Sequence, residues 1–152
     1  MLDAIKTFLS DLTAGTEKRD LSEDEYRLAA AALFFHVIAV DGVVSSGERE
    51  ILSALLRRQF DLDRDGAAEL LAAAETADNE AIDLYAFTSI LVRRLEVPDR
   101  ERIVEMMWEL VYADGTVHEF EDNVIWRVAE LLGVSAQARM SLKLRVRDRS
   151  GC

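Results

Sequence analysis

The sequence predicts an all-α fold of seven to eight helices, arranged as two related halves. Three observations carry that expectation. Apolar residues recur at three- and four-residue intervals along most of the chain, which gathers them on one face of a helix. One proline and seven glycines among 152 residues leave few forced breaks. A short phrase also occurs twice: Asp41-Gly42-Val43-Val44-Ser45-Ser46-Gly47-Glu48 returns as Asp114-Gly115-Thr116-Val117-His118-Glu119-Phe120-Glu121. Self-similarity of this kind marks two copies of one supersecondary unit, related by a pseudo-twofold axis.

The elements follow in order. Leu2, Ile5, Phe8, Leu9 and Leu12 have helical spacing and predict a first amphipathic helix over about residues 2–13. A polar loop through Gly15 and Arg19 leads to Ser22-Glu23-Asp24-Glu25, a capping-box sequence. It opens a helix to about Val40 that is almost wholly apolar in its second half and belongs at the centre of the core. Gly42 suits the position just past that helix, where a left-handed backbone is needed. Ser45 and Glu48 form a second capping box for a helix to about Gln59, with Ile51, Leu52, Leu55 and Leu56 inward. Asp63 caps a short fourth helix through Leu70, Leu71 and Ala74, and Asp78-Asn79 marks the junction between halves.

The second half replays the order. Ile82, Leu84, Phe87, Ile90, Leu91 and Leu95 predict a helix over about 80–95. Pro98 belongs in the first turn of the next, which carries Ile103, Val104, Met107, Trp108 and Val111 and ends at Asp114-Gly115. Val124, Ile125, Val128, Leu131 and Leu132 form another helix, stopped by Gly133. Ser135 caps a last helix. Beyond Met140 the alternation of Leu142, Leu144 and Val146 with Lys143, Arg145 and Arg147 is ambiguous; a helix that continues and then frays is favoured over a strand. Under an offset of 73 residues, Val37–Val40 lies over Leu110–Ala113, and Ile51, Leu52 and Leu55 lie over Val124, Ile125 and Val128. The chain reads as one domain, 1–152, with a repeat spanning about 20–76 and 80–140.

Composition narrows the function. The formal charge is −11 and the pI near 4.6, against a nucleic-acid binder, which neutralises phosphates with lysine and arginine. Such a charge accommodates cations and basic partners. The single cysteine, Cys152, offers no internal disulfide or thiolate cluster. The first residues lack the pattern of a signal peptide, and the run Leu28 to Val40 is too short to span a bilayer, so a cytoplasmic location is expected.

The repeated acidic turn invites two readings. Both copies match the second part of the EF-hand loop, but its first two ligand positions fall on Val37 and Ala39, and on Leu110 and Tyr112, which excludes an ordinary EF-hand. Read structurally, Glu48 completes a capping box and the aspartates accept backbone bonds in their own turns. Read as a site, Asp41, Glu48, Asp114 and Glu121 converge across the pseudo-twofold axis. Carboxylates are hard donors for calcium, magnesium or manganese. Two of them about 6 Å apart repel by about 3 kcal/mol at an effective dielectric near 20, and a cation removes that repulsion. The two roles can coexist.

The run Phe35-His36-Val37-Ile38-Ala39-Val40-Asp41-Gly42-Val43-Val44 with Glu48, and its echo from Leu110 to Glu121, resembles the TerB (tellurite-resistance protein B) family over roughly residues 20–140. The resemblance implies an all-helical, pseudo-twofold, acidic cytoplasmic domain. It implies association with tellurite and other chemical-stress resistance, and a related domain occurs in a membrane-anchored DnaJ-type co-chaperone. It also implies an acidic metal-binding surface, which carries over to Asp41, Glu48, Asp114 and Glu121. His118 departs from the first copy, where Ser45 stands.

Other residues read more plainly. His36 is expected as a hydrogen-bonded core histidine, with a contact to Glu109, its repeat partner, as an option. His118 is read as an exposed loop residue. Trp108, Trp126, Tyr85, Tyr112, Phe34, Phe35, Met106 and Met107 are expected in the core. The basic stretch Arg139–Arg149 is read as a solvated end, ahead of roles in binding anionic lipid, nucleic acid or another copy. No phosphate loop, nucleophile motif or zinc pattern occurs. The expectation is a non-enzymatic stress-response module that binds a divalent cation or a protein partner through an acidic face, without an organic cofactor. A metal-free helical adaptor for membrane or co-chaperone machinery is the alternative.

Overall fold

In the computed structural model, residues 23–40, 42, 44–113 and 119–150 are described. They form seven helices: α1 (Glu23–Ile38), α2 (Ser46–Phe60), α3 (Arg64–Glu80), α4 (Tyr85–Arg94), α5 (Val97–Tyr112), α6 (Glu119–Leu131) and α7 (Ala136–Ser150). No strand occurs among the described residues. The predicted helix over 2–13, the Ser22 cap, Asp41, Asp114, His118 and Cys152 lie outside them.

Helix α1 is the axle. Leu28 through Phe35 are all buried, as are Val37 and Ile38. A helix that is apolar all round must be covered all round, and α1 packs against α2, α3, α4, α5 and α6. Its most extensive contact is with α3. Both helices bring small residues to the core: Ala29–Ala32 on α1, and Ala67, Ala73, Ala74 and Ala77 on α3. In the second half, α5 likewise makes its largest contact with the helix two places on, α7. The trio α1–α2–α3 thus shares its order and its packing partners with α5–α6–α7.

The predicted punctuation is in place. Ser45 is extended and accepts from the Glu48 amide at 3.1 Å, while the Glu48 carboxylate accepts from the Ser45 amide at 3.1 Å. Asp63 accepts from the Gly66 amide at 2.7 Å to start α3. At the equivalent place Ser135 accepts from the Ala138 amide at 3.1 Å to start α7. Gly42 (φ +87) and Gly133 (φ +74) take left-handed backbone that a side chain would strain. Pro98 occupies the first turn of α5.

Three expectations change. Helix α3 is not short, because its buried stripe continues through Ala77 and carries it to Glu80. The next helix therefore begins at Tyr85, whose amide donates to Asp83 at 3.0 Å, and Ile82 is left fully exposed in the connection. The basic stretch continues as a helix, as favoured over a strand, but it does not fray before Ser150, and Arg145 and Arg149, though more than half exposed, pair with Glu105. It is the body of α7, with Leu142 and Val146 buried one turn apart.

Leu33→Ala is expected to cost about 2–5 kcal/mol in urea unfolding, because it opens a hole beside α1. Ser45→Ala, which removes one cap and no packing, is expected to cost about 1 kcal/mol in the same measurement.

Candidate functional site

The starts of α2 and α6, which carry Glu48 and Glu121, are each held by the same three-part clamp. In the first half the Arg49 guanidinium lies over the Phe35 ring, 5.7 Å from its centroid, and pairs with Glu75 through two hydrogen bonds of 3.2 and 3.0 Å. In the second half Lys143 Nζ lies 5.1 Å from the Trp108 ring centroid and donates to Asp122 at 2.7 Å. Phe35 and Trp108 are repeat equivalents, and so are Arg49 and Asp122. An aromatic of the first helix, a cation and an anion therefore recur, but the charges have changed helices. The cation sits on α2 in one half and on α7 in the other. A cation over a ring is worth about 0.5–1 kcal/mol at exposed sites. The Glu75 hydrogen bond raises the Arg49 pKa above its ordinary value.

The clamps position the glutamates expected to bind metal. Glu48 precedes Arg49, is half-buried and is engaged in the Ser45 cap. Glu121 precedes Asp122 and is buried in the first turn of α6, with a partner of its own. Glu119 and Asp122 share that acidic turn, where negative charge complements the helix dipole. Asp41 and Asp114, the other two members of the expected patch, lie outside the described residues. Among the described residues no group of three or more histidine, cysteine, aspartate or glutamate side chains stands close enough to hold a metal ion.

His36 does not meet Glu109. Its Nδ1 is 2.8 Å from Asp78 Oδ1, which ties α1 to the end of α3, and the ring is part-exposed rather than sealed in the core. Glu109 makes the corresponding tie in the second half, accepting from Arg149 of α7 at 3.2 Å. The junction is the same and the chemistry is again altered. The expected contact fails because the basic end of α7 claims Glu109.

That end forms a cluster that no sequence motif marks. Glu105, nearly buried, accepts from Arg102 at 2.8 Å and pairs with Arg149 at 3.2 Å and Arg145 at 3.9 Å. Glu109 accepts from Arg102 at 2.9 Å and from Arg58 at 3.1 Å. Four guanidiniums surround two carboxylates. Burial works to lower the Arg102 pKa, but hydrogen bonds to Glu105 and Glu109 and their negative charges outweigh it and raise it above its ordinary value. The sequence held a signal: Arg102, Glu105 and Glu109 follow one another at about one-turn intervals along one face of a largely apolar helix.

The aromatic expectations divide. Trp108, Tyr112, Phe34, Phe35, Met106 and Met107 are buried. Trp126 is 46% exposed with Arg139 over its ring at 4.8 Å, and Tyr85 and Phe120 are each 65% exposed. No helix of the described residues is long and apolar enough to cross a membrane.

Arg102→Met is expected to lower stability by about 2 kcal/mol, because it strips a hydrogen-bonded cation from both nearly buried carboxylates. Arg149→Met, which leaves Arg102 in place, is expected to cost under about 1 kcal/mol. Chemical unfolding of the two variants at low and high salt checks the order.

No curated protein and no solved structure gives a significant match to the chain. The family model of tellurite resistance protein TerB matches residues 27–144. That stretch takes in both clamps, both glutamates of the acidic turns, five of the seven helices whole and most of the other two, and the chain belongs to the TerB family.

Proposed function

We propose that this TerB-family domain is a non-enzymatic module of chemical-stress response, tellurite included, that binds a divalent cation through the face formed by its two acidic turns. Asp41, Glu48, Asp114 and Glu121 supply the carboxylates, and calcium, magnesium or manganese is the ion class such oxygens select. The observation that supports this reading is the repeated clamp. Two equivalent aromatic–cation–anion sets hold the starts of α2 and α6, the segments that carry Glu48 and Glu121. A rigid frame beneath a carboxylate set is what a cation site requires. The charge of −11 favours the same ligand class and, beside it, a basic protein partner. The domain works in the cytoplasm and needs no organic cofactor.

A second reading is a metal-free adaptor that docks on a protein, with peripheral contact to a membrane. It is favoured by Phe120 and Trp126, which are large, exposed and close in sequence to the second acidic turn. Tryptophan with an arginine against it is a common anchor of protein interfaces.

Thermal unfolding with each ion separates the readings. At a hundredfold excess over Kd, a bound cation adds about 2.7 kcal/mol, which is about 5–10 °C in Tm for a domain of this size. The shift should vanish in Asp41→Asn/Asp114→Asn. If calcium, magnesium and manganese all leave the wild-type Tm unmoved, the cation reading is lost and the adaptor stands.

A further inference from the structure

Among the described residues, the exposed large apolar side chains fall into two groups. Ile82, Tyr85, Val92 and Val97 lie on and beside α4. Phe120 and Trp126 on α6, with Met140 and Leu144 on α7, make up the other. Tyr85 and Val92 are two turns apart with half-buried Ser89 between them, so they share a face of α4 turned away from the buried Phe87 and Leu91. Met140 and Leu144 stand one turn apart on α7, away from its buried Leu142 and Val146. Helix α6 packs against both α4 and α7, so the three are neighbours with α6 in the middle. The two edges of this layer differ in charge. Around α4, Glu80, Asp83, Glu96 and Asp99 are exposed. The two arginines there are engaged on their own chain, Arg93 with the Ser89 carbonyl at 3.4 Å and Arg94 over the Tyr26 ring at 5.1 Å. Helix α7 instead carries five cations between Arg139 and Arg149, with Asp148 as its one acid. Arg145 and Arg149, although paired with Glu105, keep more than half of each side chain in water.

We infer that this layer is a self-complementary interface on which a second copy docks about a twofold axis through α6, with α4 of each copy against α7 of the other. A twofold interface uses the same patch on both partners, so each edge must find its complement on the opposite edge. Here an apolar ridge with acidic flanks meets an apolar ridge with basic flanks, and α6 meets α6 at the axis. Placing α4 on α4 and α7 on α7 would instead set like charges together. Helices of 10, 13 and 15 residues, at about 1.5 Å per residue and about 9 Å apart, cover roughly 500 Å² on each copy. The total of about 1,000 Å² is the lower end for a specific interface, which makes the dimer reversible. It also gives Phe120 and Trp126 an occupant that the adaptor reading leaves to another protein. The patch uses none of Asp41, Glu48, Asp114 and Glu121, so it stands apart from the cation reading.

Sedimentation velocity of the full chain from about 1 to about 500 µM, in chelator and reductant, tests the inference. The chelator removes any cation effect, and the reductant keeps Cys152 from linking copies covalently. The mass should rise with concentration from 17.1 kDa toward twice that value. Tryptophan emission should shift to the blue over the same range, because Trp126 leaves water while Trp108 is already buried. Tyr85→Lys sets a cation against the basic ridge, and Leu144→Glu sets an acid against the acidic one. Each lies at an exposed position and should weaken association at least about tenfold. Met140→Glu, on the same ridge, stands in if Leu144→Glu does not fold. Tyr85→Lys/Leu144→Glu on one chain should associate about tenfold more tightly than either single variant, since the introduced charges then face each other across the interface. A monomer at every concentration overturns the inference and leaves the face to a different partner. So does association indifferent to either single variant, or a double variant no tighter than the singles.

Discussion

Everything in this domain is arranged around a helix that is almost sealed from solvent beyond its first turn. From Leu28 to Ile38 only His36 on α1 keeps partial access to water. Such a surface is stable only when other helices close over every side of it, and each large side chain buried there contributes about 1.5–3 kcal/mol. The alanines of α1 and α3 make their long contact a union of small residues, so bulk comes from elsewhere: Leu33 and Phe34 on α1, Leu52 and Leu56 on α2, Phe87, Ile90 and Leu91 on α4. The chain leaves the apolar helix at Gly42, turns where a side chain would be strained, and starts α2 through the Ser45 cap.

The two halves keep one plan and exchange its charges. Phe35 and Trp108 are matched aromatics, each under a cation that is paired with an anion, yet the cation comes from α2 in one half and from α7 in the other. His36 with Asp78 and Glu109 with Arg149 repeat the pattern at the far ends of α3 and α7. Reversal has a physical consequence. If α7 replaced α3 against the first half, its lysine and arginines would face Arg49 rather than Glu75, and like charges in contact repel. The pairs are individually weak, since most are part-exposed. Their arrangement still discriminates between two otherwise similar docking surfaces. The positive excess around Glu105 and Glu109 is the outcome of making α7 basic.

Much of the helical plan was legible because it rests on local chemistry. Ser45 with Glu48, Asp63 with Gly66 and Ser135 with Ala138 satisfy amides three residues away, so the residues that start each helix can be read in a row. Core residues were legible where spacing was strict, as for Leu52, Leu55 and Leu56. The misreadings lie where a distant partner intervenes. Ile82 has helical spacing with Phe87 but falls in a turn made by Asp83. Trp126 is large and aromatic but sits on the outer side of α6 under Arg139. His36 was matched to Glu109 by repeat position, whereas Asp78 was closer in space and Arg149 had taken Glu109.

The sequence by itself determined the helices, their caps, the doubled acidic turn and the family, because hydrophobic period, capping and turn chemistry act over a few residues and leave their mark in order along the chain. Only the tertiary structure decided which charges meet. Pairings such as Arg49 with Glu75, or Arg58 with Glu109, join residues on different helices. Ion pairs have no fixed spacing in sequence, and with so many acidic and basic side chains to choose from, the packing of the helices selects among them.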